Sequence, residues 1–263
     1  MSQEQKVGFV DTHLHLLPGL DDGPDAIETT LEMAELMIAD GTTHAAVTHH
    51  ANYQFSFDPA RIRELCAQVQ PQVGPRLRIM PGCELHLTYE NVQAALRQPL
   101  DYTLNESKYL LVEFPEFFEQ NAMEGALQQL RAAGLTPILA HPERNPVFQQ
   151  HLEVLVRYLR LGCVSQVTAS SFTGRFGKRA QQMAKDLLEQ ELVHVVASDG
   201  HSPRQRSPRL SEAAQTIAEL SSDEVARALT SGNPWAIVQN QPLVYYPRIA
   251  KEKKKSFWAF LRS

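Results

Sequence analysis

The sequence predicts a single α/β domain in which repeated strand–helix units close into a barrel. Three observations carry this. Seven short apolar runs alternate with segments of helical periodicity, the pattern of parallel strands buried on both faces. The turn after the first run reads His15-Leu16-Leu17-Pro18-Gly19, so the Gly-x-Gly-x-x-Gly expected of an open nucleotide-binding sheet is missing. Histidines and carboxylates recur at the same end of run after run, as in barrels whose reactive groups come from the C-terminal ends of many strands.

Whole-chain properties agree. The 263 residues suffice for one large domain. A hydrophobic content of 43% supplies a core and argues against global disorder. No linker rich in Gly, Ser or Pro divides the chain, so residues 1–250 read as the barrel and 251–263 as a tail of different character. The formal charge of −5 gives no general reason to expect nucleic-acid binding. Cys66, Cys83 and Cys163 are too few and scattered for a disulfide framework. With no secretory signal and no apolar run of membrane length, a cytoplasmic location is expected.

The first strand, Val7–His15, ends in Asp11-Thr12-His13-Leu14-His15. Strand residues two apart face the same side, so His13 and His15 aim two imidazoles at one point. A helix follows over Ile27–Ala39. Strand His44–His50 ends in Thr48-His49-His50; neighbours on a strand face opposite ways, so one of the two histidines belongs at the site. Asp58 caps the next helix and Pro59 fits its first turn. Strands Arg78–Leu87 and Tyr109–Phe114 carry Glu84 and Glu113 among apolar residues, where an unpartnered charge is costly. Cys83 alternates away from Glu84 and reads as core.

Helix Met123–Ala133 stops at Gly134, and strand Thr136–His141 delivers His141. Helix Leu152–Leu161 stops at Gly162, and strand Val164–Ala169 and helix Phe176–Glu191 come next. Strand Val193–Ser198 runs into Asp199-Gly200-His201. Helices Ser211–Leu220 and Asp223–Thr230 close the domain.

Each of these polar residues alone has an ordinary structural explanation. Six of seven strands presenting His or carboxylate at one end point to a metal cluster. Asp22, in Asp21-Asp22-Gly23-Pro24, reads equally as a ligand or as turn and cap chemistry. Imidazole mixed with carboxylate suits Mn²⁺, Fe or Zn²⁺. Asp22, Glu84, Glu113 and Asp199 carry four negative charges, which three divalent ions exceed. The surplus would hold a bridging hydroxide and attract an anion, the arrangement for phosphoester hydrolysis. Arg144 follows His141 by three residues and Arg206 follows His201 by five. Their planar donor forks suit a phosphoryl group.

The ordered set Asp-x-His-x-His, Asp-Asp-Gly-Pro, Thr-His-His, Gly-x-Glu, Glu-Phe-Pro, Ala-His-Pro-Glu-Arg and Val-Ala-Ser-Asp-x-His resembles the PHP (polymerase and histidinol phosphatase) superfamily. Within it, the set is most similar to bacterial tyrosine phosphatases associated with capsule and exopolysaccharide control. The resemblance implies a distorted (β/α)₇ TIM-like barrel holding three divalent metals, most often Mn²⁺. By that resemblance one metal takes His13, His15, Glu84 and Asp199. A second shares Glu84 and adds Glu113 and His141; a third takes Asp22, His49 and His201. Members often have one residue between Thr and His, whereas Thr48 adjoins His49, which leaves His50 as an alternative ligand. Arg144 and Arg206 would hold the phosphate while a metal-bridging hydroxide attacks phosphorus, with no phospho-enzyme. The implied substrate is phosphotyrosine on the tail of a bacterial tyrosine kinase that drives polysaccharide assembly. The competing expectations are a histidinol-phosphate phosphatase or other small-molecule phosphoesterase, a nuclease, and a catalytically silent phosphopeptide-binding protein.

In the tail, Lys251-Glu252-Lys253-Lys254-Lys255 precedes Ser256-Phe257-Trp258-Ala259-Phe260-Leu261. Basic residues followed by aromatics dock on anionic membranes, which would bring the protein to the inner face of the membrane. A solvated terminus is the other reading.

Overall fold

The computed structural model describes residues 7–247. The expected boundary at residue 250 and the tail at 251–263 therefore lie outside the described residues. Seven parallel strands pair in chain order: β1 (Phe9–Asp11), β2 (Thr42–Ala51), β3 (Arg78–His86), β4 (Tyr109–Glu113), β5 (Thr136–Ala140), β6 (Val164–Thr168) and β7 (Val195–Ala197). Beyond the ends of β1 and β7, His13 C=O accepts from Asp199 N–H at 2.8 Å and Gly200 C=O from His15 N–H at 2.9 Å. These bonds bring the last strand back to the first and nearly close the barrel.

The barrel is filled, as parallel strands require. Val10, Ala46, Met80, Leu111, Ile138, Val164 and Val195, one from each strand, form one apolar cluster. Ile237 and Val238, from the last helix, join it. Neighbouring strand residues such as Val47, Leu110, Leu139 and Val196 face outward into clusters with the surrounding helices.

Most expected elements are present with shifted ends. The first strand is only three residues long; His13 and His15 lie beyond it on chain held by Asp199 and Gly200, just past β7, and by Leu14 N–H on Thr48 Oγ1 at 3.0 Å. Asp58 caps the Pro59–Val73 helix by accepting from Ala60 and Arg61 N–H. Gly134 and Gly162 adopt φ of +84° and +90° just past their helices, the left-handed stop that glycine permits. The helix expected from Phe176 begins at Gly177. The Tyr89–Arg97 helix, capped by Thr88, was not among the sequence expectations. Among the described residues, no helix is long and apolar enough to cross a membrane.

Candidate metal centre

The C-terminal ends of the strands converge on Glu84. Its Oε2 lies 3.2 Å from His13 Nε2, 3.2 Å from His15 Nε2 and 3.1 Å from His50 Nδ1. Its Oε1 lies 3.1 Å from His141 Nε2. Asp199 Oδ1 stands 3.3 Å from His13 Nε2. Glu113 Oε1 is 3.8 Å from His141 Nε2, and its Oε2 is 3.9 Å from His50 Nδ1. Asp22 Oδ1 is 3.2 Å from His201 Nε2 and 3.5 Å from His50 Nε2. Asp199 and His141 both sit at positive φ, +53° and +35°, a conformation that costs non-glycine residues and clusters at functional sites.

Five overlapping groups result among the described residues: His13, His15 and Glu84; His13, His141 and Asp199; His50, Glu84 and Glu113; His15, Asp22, His50 and His201; and His15, Asp21 and His49. In each, one donor atom per residue lies within 4.8 Å of the others. His13 Nε2, His15 Nε2, His49 Nδ1, His50 Nδ1 and His201 Nε2 are buried without a hydrogen-bond partner among the described residues. Buried polar atoms are rarely left unmatched, and here each orphan faces carboxylate oxygens. That donor set fits divalent metal ions.

The remaining ring nitrogens are held. His13 Nδ1–H donates to Gln166 Oε1 at 2.7 Å, and His15 Nδ1–H donates to Asp21 Oδ2 at 2.6 Å. His201 Nδ1–H donates to the Asp199 carbonyl at 3.0 Å. Each bond fixes the tautomer that turns Nε2 toward the cluster, as partners of metal-binding histidines do.

The geometry separates the two candidate histidines of β2. His49 Nε2 accepts from Leu17 N–H at 3.1 Å, and its Nδ1 lies 3.0 Å from Asp21 Oδ2. Its Nδ1 groups with His15 and Asp21 rather than with Glu84. His50 takes the place beside Asp22 and His201. The cause is strand parity: β2 pairs with β3 so that His50 is opposite Glu84 and His49 opposite Cys83. The structure brings together the other expected ligands, His13, His15, Asp22, Glu84, Glu113, His141, Asp199 and His201. Arg144 and Arg206 both reach Asp199 Oδ2, Arg206 at 2.7 Å. The Arg144 guanidinium also lies over the Phe176 ring at 4.2 Å.

Three contributors escaped sequence reasoning. Asp21 stood beside the residue chosen from an Asp-Asp pair. Gln166 lies on a strand that offers no His or carboxylate. His86, whose Nδ1 is 3.2 Å from Glu113 Oε2, is two residues after Glu84, so the period-two argument used for His13 and His15 would have found it.

Ionised carboxylates dominate the electrostatics of the cluster. Burial opposes charge on His13, yet Glu84 and Asp199 outweigh it and raise its pKa to about 9. His50 is likewise disfavoured by burial but raised to about 11 by hydrogen bonds to Asp22 and Glu84. Burial pushes the carboxyls of Glu84 and Asp199 upward, but His13 and the surrounding cations hold both well below the usual range. Ionised carboxylates thus draw positive charge into the cluster. Divalent ions would meet that demand and would displace imidazole protons.

Residues 9–239 match the sequence profile of the family described as capsular polysaccharide synthesis, CpsB/CapC. The tyrosine-protein phosphatase YwqE of Bacillus subtilis is 31% identical over 256 residues, 96% of this chain and 100% of the relative. The tyrosine-protein phosphatase CpsB of Streptococcus pneumoniae is 28% identical, covering 89% of this chain and 99% of the relative. A crystal structure from work on YwqE and CpsB, described there as unique metal-dependent tyrosine phosphatases, superposes with a TM-score of 0.84 at 30% identity. It covers 92% of this chain and 99% of the other.

Proposed function

The chain belongs to the CpsB/CapC capsular polysaccharide synthesis family, and from that premise we propose that it is a metal-dependent protein-tyrosine phosphatase. The observation that carries the chemistry is the convergence of Arg144 and Arg206 on Asp199 Oδ2, while Asp199 Oδ1 faces His13 among the candidate ligands. Two guanidinium forks beside a metal-binding cluster make a seat for a phosphoryl group.

His13, His15, Asp22, His50, Glu84, Glu113, His141, Asp199 and His201 would hold three divalent ions, for which we propose Mn²⁺. When bound, the ions supply Lewis-acid polarisation of phosphoryl oxygens and an acidified water. The chain's own part is orientation. Asp21 and Gln166 hold His15 and His13 by Nδ1. Asp199 holds both guanidiniums at one edge of the cluster, where they bind phosphoryl oxygens and take up charge as the ester bond breaks. A cysteine nucleophile has no support. Cys83 is fully buried with its thiol pushed well up, and burial raises Cys66 and Cys163 to about 12, whereas a reactive cysteine must be a thiolate.

The substrate we propose is phosphotyrosine on a bacterial tyrosine kinase serving capsule or exopolysaccharide synthesis, supported by the family description. The test is turnover by Mn²⁺-loaded protein of a phosphotyrosine peptide, a phosphoserine peptide and histidinol phosphate, with metal content measured on the same sample. Phosphotyrosine turnover with three ions per chain is expected. Activity on histidinol phosphate alone would overturn the substrate, and a full metal complement without turnover would favour a phosphopeptide-binding protein.

A further inference from the structure

The ligands are not equally sealed. His13, His15, Glu84 and Asp199 are buried, whereas the side chains of Asp22 and Glu113 are 48% and 23% exposed. A phosphorylated residue must enter on that open side, across the loops that leave the strands there.

Three of those loops carry outward-facing aromatics on fastened backbone. After β2, Asn52 Oδ1 accepts from Gln54 N–H and Phe55 N–H at 2.9 Å each. This turn leaves Tyr53 88% exposed. It also sets the Phe55 ring parallel to the His50 imidazole, 12° apart in plane with centroids 5.9 Å apart. After β3, Asn91 Nδ2–H donates to Ala51 C=O at 2.7 Å and to His86 C=O at 3.0 Å. That bond pair ties the first turn of the Tyr89–Arg97 helix to the ends of β2 and β3, and Tyr89 is 74% exposed. After β4, Phe114 and Phe118 pack together at 5.0 Å and both pack on Phe148. Phe117, next to Phe118, is turned out and 73% exposed. Asn145 Nδ2–H donates to Pro115 C=O at 2.9 Å, joining this loop to the one that carries Arg144.

Exposed aromatics on anchored loops are preorganised for contact, because little freedom is left to lose on binding. Aromatic anchors dominate the energetics of protein–protein contacts. We propose that Tyr53, Tyr89 and Phe117 form a rim that grips the polypeptide flanking a phosphotyrosine, with Phe55 as a wall for the tyrosine ring. The partner is thus an extended or flexible protein segment rather than a small phosphate ester. This rests on the phosphatase reading above.

The double substitution Tyr53→Ala with Phe117→Ala tests it in the full, Mn²⁺-loaded chain. Both side chains face solvent, so folding is expected to survive, and thermal melting and metal content verify that. The readout is selectivity: kcat/KM for a phosphotyrosine peptide divided by kcat/KM for para-nitrophenyl phosphate. The rim predicts that this ratio falls by about tenfold or more, mainly through KM for the peptide, the scale of losing two aromatic anchors. A ratio within about twofold of the parent overturns the rim and leaves the phosphatase reading standing. Equal loss on both substrates also overturns it. If the parent itself turns over no phosphotyrosine peptide, both readings fall.

Discussion

Asp21→Asn is the most discriminating substitution for the metal centre, because Asp21 reaches the Glu84 cluster only from behind, through His15 Nδ1–H and the backbone N–H of His50. Its buried Oδ2 takes His15 Nδ1–H at 2.6 Å and His50 N–H at 3.0 Å, with His49 Nδ1 also at 3.0 Å. Its Oδ1 takes Gly23 N–H at 3.1 Å. Every neighbour is a donor or a nitrogen that carries a proton. An amide is isosteric but must put NH₂ where one oxygen stood, and in either orientation it meets a donor. A charge-assisted hydrogen bond is worth about 1.5–3 kcal/mol. Loss of the carboxylate that orients a metal-binding histidine lowers metal affinity by about 10–100-fold, which is about 1.4–2.7 kcal/mol, so the two scales agree. The variant is expected to release metal to a competing chelator at about 10–100-fold lower chelator activity, with loss of at least the ion nearest His15. The assay is a chelator titration read by bound metal per chain. A titration curve lying on that of the parent would reduce Asp21 to a turn former and refute the reasoning.

His50→Ala is expected to lose bound metal and turnover together, whereas His49→Ala keeps the ion count and loses about 1–3 kcal/mol of folding stability from its buried contacts; elemental analysis beside denaturant melts separates the two. Arg206→Ala is expected to retain metal while inhibition by inorganic phosphate weakens about tenfold or more, measured from inhibition curves at fixed metal. In protein stripped of metal, His13 and His50 bind protons more tightly folded than unfolded, so between the unfolded value of 6.5 and their folded values of about 9 and about 11 the folded state holds the extra protons. The stability they supply is present below 6.5 and is lost as pH rises through that window. His201, lowered to about 4 chiefly by burial, has the opposite sign and loses stability as pH falls from 6.5 toward 4. Melting temperatures across pH 5 to 10 check both, and added Mn²⁺ should flatten the alkaline decline (about 1.4 kcal/mol per decade of affinity). Gly200→Ala puts a Cβ 2.7 Å from Pro208 Cβ, between Asp199 and His201; it is expected to cost about 1–3 kcal/mol by thermal melting and to lower metal occupancy.

What the sequence could and could not reveal follows from one property of parallel barrels. Strands buried on both faces have no apolar–polar alternation to mark which side points in. On β2 both Ala46 and Val47 are apolar, though one faces the barrel interior and the other the helices. Parity at Thr48-His49-His50 was therefore open, and it is the register that sets His50, not His49, opposite Glu84. Where histidines or carboxylates end a run without an adjacent rival, as at Glu84, His141 and Asp199, residue type alone was enough to anticipate the side chains that converge. The orienting partners are harder, because their residue types are unremarked in sequence. β6 presents Ser165, Gln166 and Thr168 and looks idle beside strands that end in His or Glu. Yet Gln166 faces inward at the level of His13 and holds its Nδ1. The same strand supports the arginine side, since Thr168 N–H donates at 3.1 Å to Glu143, the residue before Arg144. A strand that offers no His or carboxylate thus orients both the His13 imidazole and the loop that carries Arg144. Gln166→Leu separates these two jobs. It removes the acceptor for His13 but leaves Thr168 and Glu143 bonded, so metal affinity should fall by about 10–100-fold while inhibition by phosphate, measured at saturating metal, stays near that of the parent. If phosphate inhibition weakens as much as metal binding, β6 acts on the two sides as one unit and the division argued here fails.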